Sequence, residues 1–157
     1  MPIERDDFRR VLGNFASGVT VVTTLGPDGA PYGLTATAFT SVSLDPPLVL
    51  VCVDKRAESL PHLQASQLFA VNFLAGGDEE RSRRFAVSGG DKFSGVSWSA
   101  AVTGAPILAN VVGYVDCRVV QTLSAGDHLI FVGQVEAAAA FDAEPLLFFR
   151  GGYRAMK

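Results

Sequence analysis

Cysteine, histidine and tryptophan are scarce in this chain: two, two and one among 157 residues. Cys52 and Cys117 stand singly, with no Cys-x-x-Cys and no cationic neighbour pattern. They read as small buried hydrophobes in a reducing compartment, not as a disulfide. His62 and His128 lie far apart and offer no metal-ligand spacing, so no metal is expected. A Ser-His-Asp arrangement would rest on His128 with Asp127 pointing to the other face of the same strand, which is a poor geometry for it. Gly-x-Gly-x-x-Gly after a strand, the Walker Gly-Lys-Ser/Thr, His-Glu-x-x-His and Gly-x-Ser-x-Gly are all missing, which sets those chemistries aside.

Two further shortages narrow the class. Lys and Arg number 13 against 16 Asp and Glu, for a net charge of −3, and the basic residues are scattered apart from Arg81, Arg83 and Arg84. The field that draws proteins onto nucleic acid is absent. Apolar runs such as Leu48 to Val53 fall far short of the roughly 20 residues a membrane span needs. The first residues, Met1 to Asp7, carry acids early and have no apolar core of signal-peptide type. The expectation is a cytoplasmic protein that binds neither nucleic acid nor membrane.

What the chain does have is apolar content, 48% with a mean hydropathy of +0.28. One domain over residues 1–157 can bury a core without staples. The surplus predicts an apolar interface, with a homodimer as the default symmetry.

Periodicity predicts the elements. Phe8, Val11, Leu12 and Phe15 fall at helical spacing after Asp6 or Asp7 as cap. Val19 to Leu25 is β-branched almost throughout, and Gly26-Pro27-Asp28-Gly29 supplies a hairpin turn whose return strand begins near Tyr32. Pro61 opens a short helix to about Ala65, Gln67 to Leu74 reads as a strand, and Asp78 to Val87 as a helix with Phe85 on its apolar side. Ser88 to Ala101 is a Gly- and Ser-rich loop. Tyr114 to Leu123 and His128 to Glu136 form a hairpin around Ser124 to Asp127, with Ala137 to Phe141 able to extend it. Pro145 to Phe149 is a last strand. About seven strands and three short peripheral helices make a mainly β architecture, an antiparallel β-barrel that is closed or nearly so.

With no protein nucleophile in view, the chemistry is one a cofactor brings while the protein binds and orients it. Thr35, Ala36, Thr37, Ala38, Phe39 and Ser41 combine hydroxyls with little side-chain bulk, so the stretch can face a flat heteroaromatic ring or can be an ordinary threonine-rich edge strand. Lys55, Arg56 and Ser59 precede or open a short helix, which taken alone reads first as an ordinary solvated turn with an N-cap serine and second as a place where an anion such as a phosphate is favoured. Lys92 and Phe93 in the long loop are open to either reading. His128 can act as donor or acid at a barrel mouth. Gly151, Gly152, Tyr153 and Arg154 offer backbone access, an aromatic face and a cation, or a flexible tail.

Laid out together, these segments resemble the flavin reductase family of split-barrel fold, the small reductase components of two-component flavin-dependent monooxygenases. The resemblance runs in order through Phe15 to Thr24, Gly33 to Val49, Phe69 to Leu74, Arg84 to Ala86, Asp91 to Trp98, Gly126-Asp127-His128 and Arg150 to Tyr153. It implies a homodimeric, antiparallel split β-barrel of FMN-binding type, with FMN or FAD at the dimer interface and NADH or NADPH as hydride donor. It further implies that Thr35 to Phe39 line the isoalloxazine with Ser41 close by. Cys52, Val53, Asp54, Lys55 and Ser59 would carry the ribityl and phosphate end, and Phe85, Lys92 and Phe93 would close the site. His128, as the catalytic residue, and Gly151, Gly152, Tyr153 and Arg154 would lie on the nicotinamide side. Diffusible reduced flavin would pass to a monooxygenase component. The alternative reading is a flavin-binding module, carrier or sensor, without reductase turnover.

Overall fold

The computed structural model describes residues 2–157, among which three short helices surround antiparallel strands. Helix α1 (Arg5–Leu12) leads into β1 (Ser17–Gly18), β2 (Thr20–Leu25), β3 (Pro31–Ala36), β4 (Phe39–Ser43) and β5 (Leu48–Asp54). Then come α2 (Leu60–Ser66), β6 (Leu68–Phe73), α3 (Glu79–Ala86), β7 (Trp98–Ser99) and β8 (Ile107–Leu108). The long hairpin β9 (Gly113–Ala125) and β10 (His128–Ala140) is followed by β11 (Leu147–Phe149) and β12 (Gly152–Arg154).

Seven strands form one antiparallel sheet in the order β3-β2-β6-β9-β10-β5-β4. Its two edges, β3 and β4, are consecutive in sequence and are not paired with each other, so the barrel is split there. The sheet curls around a single interior. Val22, Val49, Val51, Val53, Phe69, Val71, Cys117 and Phe131, drawn from β2, β5, β6, β9 and β10, meet in one cluster roofed by Leu60 and Leu63 of α2. Along β5 the period of two is exact in effect: Val49, Val51 and Val53 are buried, while Leu48, Leu50, Cys52 and Asp54 are half-buried on the opposite face. Gly133, beside a register shift in β10, lets the Phe69 ring cross close by, since a Cβ there would stand 2.5 Å from that ring.

The expected turns are in place. Gly29 takes φ of +81°, and Gly26 and Ala30 close the β2–β3 loop with a 2.8 Å hydrogen bond. Several expectations need correcting. Glu4, not Asp6 or Asp7, stands at the α1 N-cap, and its side chain makes no capping bond; the two aspartates lie within the first turn, where their charge suits the helix dipole. Ser59 precedes α2 without capping it, because its hydroxyl donates to the Gly33 carbonyl at 3.1 Å. Residues 152–154 are a strand, not a flexible tail: β12 pairs with β11 and β11 with β1 in a second, three-stranded sheet. That small sheet was missed because two- and three-residue strands are too short to show a period.

The 88–112 segment is held by buried polar groups. Asp116 accepts from the backbone N–H groups of Val102 and Thr103 at 2.8 and 2.9 Å and from the Thr103 hydroxyl. Asn72 accepts from Leu108 N at 2.9 Å and donates to the Val21 carbonyl at 3.1 Å. Each is fully buried, and each satisfies a loop backbone that the sheet cannot reach. No helix among the described residues is long and apolar enough to cross a membrane.

Candidate functional site

The strand break between β3 and β4 opens a groove of about 840 Å³ on the outer face of the barrel. Thr37, Ala38, Phe39 and Thr40 form one wall and Leu50 and Cys52 of β5 the floor. Leu12, Phe15 and the β1 segment Ala16 to Gly18 face them, with Phe73, Leu74, Pro145 and Leu146 at the end. The break has a local cause. Phe39 N donates to Thr37 O at 3.0 Å, a tight turn, and Cys52 N donates to Ala38 O at 3.0 Å, which fixes the turn onto β5. Among the described residues neither Thr37 nor Ala38 gives its N–H to another backbone carbonyl. Both N–H groups thus stand outside the backbone ladder.

The outer face of β5 continues from Leu50 and Cys52 to Asp54, which lines a second cleft of about 440 Å³. Leu34, Thr35, Arg56, Glu58, Ser59, Phe85 and Lys92 share that cleft. Arg56 grips Asp54 through Nη2–Oδ2 at 2.9 Å and Nε–Oδ1 at 3.2 Å, and its backbone N–H adds a third bond at 2.8 Å. These hydrogen bonds hold the Asp54 carboxyl down at about 2. Lys92 donates from Nζ to the carbonyls of Gly33 and Phe85, both at 3.4 Å, and burial pushes its ammonium below the usual lysine range. A third cleft of about 350 Å³ adjoins the second, lined by Tyr32, Glu58, Ser59, Asp91, Lys92 and Phe93 among others.

The expected site residues divide among these places. Thr37, Ala38, Phe39 and Cys52 line the groove; Thr35, Asp54, Ser59, Phe85 and Lys92 line the second cleft; Phe93 lines the third. Ala36 and Val53 are buried in the barrel, and Phe85 is almost fully buried with its ring edge-on to Phe93 at 5.1 Å. The Thr35 hydroxyl donates to Ser82 O at 2.6 Å and so ties β3 to α3. Ser41 sits exposed on β4 opposite Val49, outside the groove lining. Lys55 turns away toward the β9–β10 turn, with Nζ on Ser124 Oγ at 2.8 Å.

His128 begins β10 opposite Asp54 of β5, and its Nδ1 lies 2.7 Å from Asp127 Oδ1. That contact lowers the Asp127 carboxyl below its ordinary range. The imidazole is oriented by this contact and remains partly exposed. Tyr153 lies elsewhere, in the small sheet against α3, with its hydroxyl 2.7 Å from Ser82 Oγ and Arg83 over its ring at 5.1 Å. Arg150 and Gly151 form the turn into that strand, Gly152 opens it opposite Phe149, and Arg154 is exposed. The groove and the second cleft thus meet along the outer face of β5, with His128 on the neighbouring strand β10 and Tyr153 in the small second sheet. Sequence reasoning missed Leu12, Phe15 and Leu50 as groove residues. The helical stripe of the first two and the strand alternation shared by Leu50, Cys52 and Asp54 were the signals available.

Comparison with known proteins gives a consistent set of matches. The profile of the flavin reductase like domain matches residues 12–157. The chain is 44% identical over 155 residues to a flavin reductase (NADH) of Kitasatospora aureofaciens, covering 96% of this chain and 81% of that protein. It is 40% identical over 154 residues to HsaB, the reductase subunit of a flavin-dependent monooxygenase of Mycobacterium tuberculosis, covering 96% and 82%. Among solved structures, the NADH:FAD oxidoreductase of Streptomyces globisporus, determined with NAD and FAD fragments, superposes with a TM-score of 0.92 at 42% identity, over 98% of this chain and 93% of that one.

Proposed function

The chain belongs to the flavin reductase like domain family, and on that premise we propose that it is an NADH-dependent flavin reductase that supplies reduced flavin to a partner monooxygenase. The observation that carries the reading is the groove at the β3–β4 break. It is large enough for a tricyclic ring and walled by small side chains at Thr37 and Ala38. The cofactor fits the residues present. Apolar surface from Leu12, Phe15, Leu50 and Phe73 matches a flat ring system, and the β5 face leads from there to Arg56 and Lys92.

When bound, the flavin supplies the hydride-accepting chemistry. The chain's part is to hold planes and polar edges in place, which is most of what a hydride transfer asks of a protein. Thr37 and Ala38 N–H groups favour charge developing at the polar edge of the ring. Ser59 acts through structure, because its buried hydroxyl on Gly33 O fixes the start of α2 against β3. Lys92 and Arg56 provide positive charge for the phosphate end, with Lys92 the less committed of the two.

His128, oriented by Asp127, positions the carboxamide of the nicotinamide or assists a proton. Gly151 to Arg154 are assigned to the same nicotinamide side by the resemblance to the family alone. The homodimer is supported by the stripe on α1: Phe8, Val11, Leu12 and Phe15 are 53, 53, 51 and 80% exposed, and two of them line the groove. A second copy over this face would cover the stripe and complete the groove wall.

The test is direct: purified protein, flavin and NADH are mixed and the loss of NADH absorbance is followed under air. Turnover that depends on added flavin supports the reading, and flavin binding without NADH consumption leaves a carrier module instead. His128→Ala is expected to raise the KM for NADH or lower kcat about tenfold or more. Unchanged turnover and nucleotide affinity would remove His128 from the site.

A further inference from the structure

We propose that a further large cavity, bounded by the β7–β8 hairpin, Tyr114 of β9 and the segment after β10, binds a small organic cation with an apolar body, such as a quaternary ammonium carried on an aromatic ring. This cavity plays no part in the reductase chemistry above, and its ligand is independent of it. Its volume of about 880 Å³ lies within the range of small-ligand sites and matches that of the groove. The two share a wall and no lining residue. Ala75 pairs with Pro145 in an isolated bridge, and Leu74 and Pro145 line the groove while Ala75 and Ala143 line the cavity.

The walls are set by the fold. Trp98 of β7 pairs with Leu108 of β8, whose backbone N–H is held by the buried Asn72 side chain at 2.9 Å. Ala109 O accepts from Arg81 Nη1 at 2.7 Å, and Asp116 holds Val102 and Thr103. Short side chains at Ala100, Ala101 and Ala109 leave the interior open. A ligand entering such a pre-formed site brings little ordering cost. Three aromatic side chains line it, Trp98, Tyr114 and Phe141, the last two with ring centroids 6.5 Å apart and planes at 36°. Trp98 and Phe141 stay 37 and 53% exposed, so the chain itself does not cover them. Aromatic faces attract cations through the ring quadrupole, tryptophan most strongly.

Charge selects the sign of the ligand. Asp142 is the one charged side chain among the described residues that line the cavity, whereas the groove lining carries none. A tight turn, with Ala143 N donating to Phe141 O at 3.1 Å, fixes the backbone at Asp142 next to Phe141. Arg81 is not part of the lining, and Asp78 neutralises its guanidinium at 2.6 Å. An acid and three rings with no cation among them favour a positive ligand and repel the phosphates of a flavin or a pyridine nucleotide. The cavity is therefore no extension of the nucleotide sites.

Trp98 is the only tryptophan of the chain, so its emission reports on this cavity alone. The experiment is titration of the purified full chain, read by that emission, with benzyltrimethylammonium, benzyl alcohol and benzoate, which carry one ring with a positive, no and a negative charge. The cation is expected to change the emission saturably with a Kd of about 1 mM or below, and to bind about tenfold or more tighter than the alcohol, with benzoate weakest. Asp142→Asn and Phe141→Ala are each expected to reduce that preference about threefold or more, and Asp142→Glu to keep it. An unchanged thermal-unfolding midpoint shows that the variants are folded. No saturable response to the cation, equal affinity for cation and alcohol, or a preference untouched by both variants overturns the site. Emission that shifts with protein concentration alone, with no probe present, shows a second copy covering the cavity and overturns it too.

Discussion

The barrel interior and the exposed face of α1 are built from the same kinds of residue and end in opposite states. Val51, Phe69 and Phe131 are fully covered, whereas Phe8, Val11, Leu12 and Phe15 are each more than half exposed. The β5 strand repeats the contrast within seven residues, Val49, Val51 and Val53 inward and Leu50 and Cys52 on the groove. Apolar periodicity therefore marks a face that must be covered, without saying by what. Inside, the chain covers it; along α1, a second copy and a flat ligand do so in the reading proposed above.

Substitutions should separate these two kinds of apolar surface. Phe131→Ala is expected to have the largest effect, about 3–5 kcal/mol of stability, because the ring is fully buried in a cluster drawn from six strands and α2. Denaturant unfolding measures it, and a cost below about 1 kcal/mol would mean that the interior is not one close-packed core.

The next effect concerns the two thiols, which belong to the two regions. Burial raises the Cys52 thiol, and on Cys117 it does so strongly, with Asp116 and Glu136 adding to it, up to about 12. For Cys117 the folded value lies above the reference value of 9.0. Its contribution is thus complete below about pH 9 and lost as pH rises toward 12, a change on the order of a few kcal/mol. Cys117→Ala is expected to flatten that alkaline decline in a pH series of unfolding curves, while Cys52→Ala is expected to alter it far less.

Much of this was legible beforehand. The Pro27-Asp28-Gly29 turn, the alternation in β5 and the long β9–β10 hairpin follow from turn chemistry and period. Thr37 to Phe39, which line the groove, stood out by their hydroxyls and small side chains, a pattern that an ordinary threonine-rich edge strand shares. What stayed hidden depends on contacts between distant segments. Nothing local says that the Thr35 hydroxyl is taken by Ser82, that the Ser59 hydroxyl is taken by Gly33, or that Lys55 turns toward Ser124. Residues 152–154 read as a tail because a three-residue strand is defined by its partner and not by its own pattern. The α1 stripe was legible as a helix face, and its exposure was legible only as a surplus in composition.

That exposure predicts a variant that spares the fold and removes the assembly. Leu12→Ser with Phe15→Ser is expected to change the chain's own unfolding free energy by no more than about 0.5 kcal/mol per site, since neither side chain is buried. The same double variant is expected to shift sedimentation from dimer to monomer and to weaken flavin binding. A large loss of stability in the monomer would place α1 with the interior and erase the contrast.

The smallest effect is expected at the mouth of the second cleft. Arg56 lowers the Asp54 carboxyl to about 2 through its side-chain and backbone bonds, so the pair's contribution is present above the ordinary carboxylate value of 3.8 and fades as pH falls toward 2. Arg56 is solvent-exposed and Asp54 partly so, and an ion pair open to water is strongly screened. Asp54→Asn should therefore leave the acid limb of a thermal-unfolding series almost superimposable on the wild type. Its consequence belongs to binding instead: with the acid gone, Arg56 is released to a phosphate, and FMN should gain affinity. If FMN affinity does not rise, Arg56 is not a phosphate contact, and the positive charge of the second cleft falls to Lys92 alone.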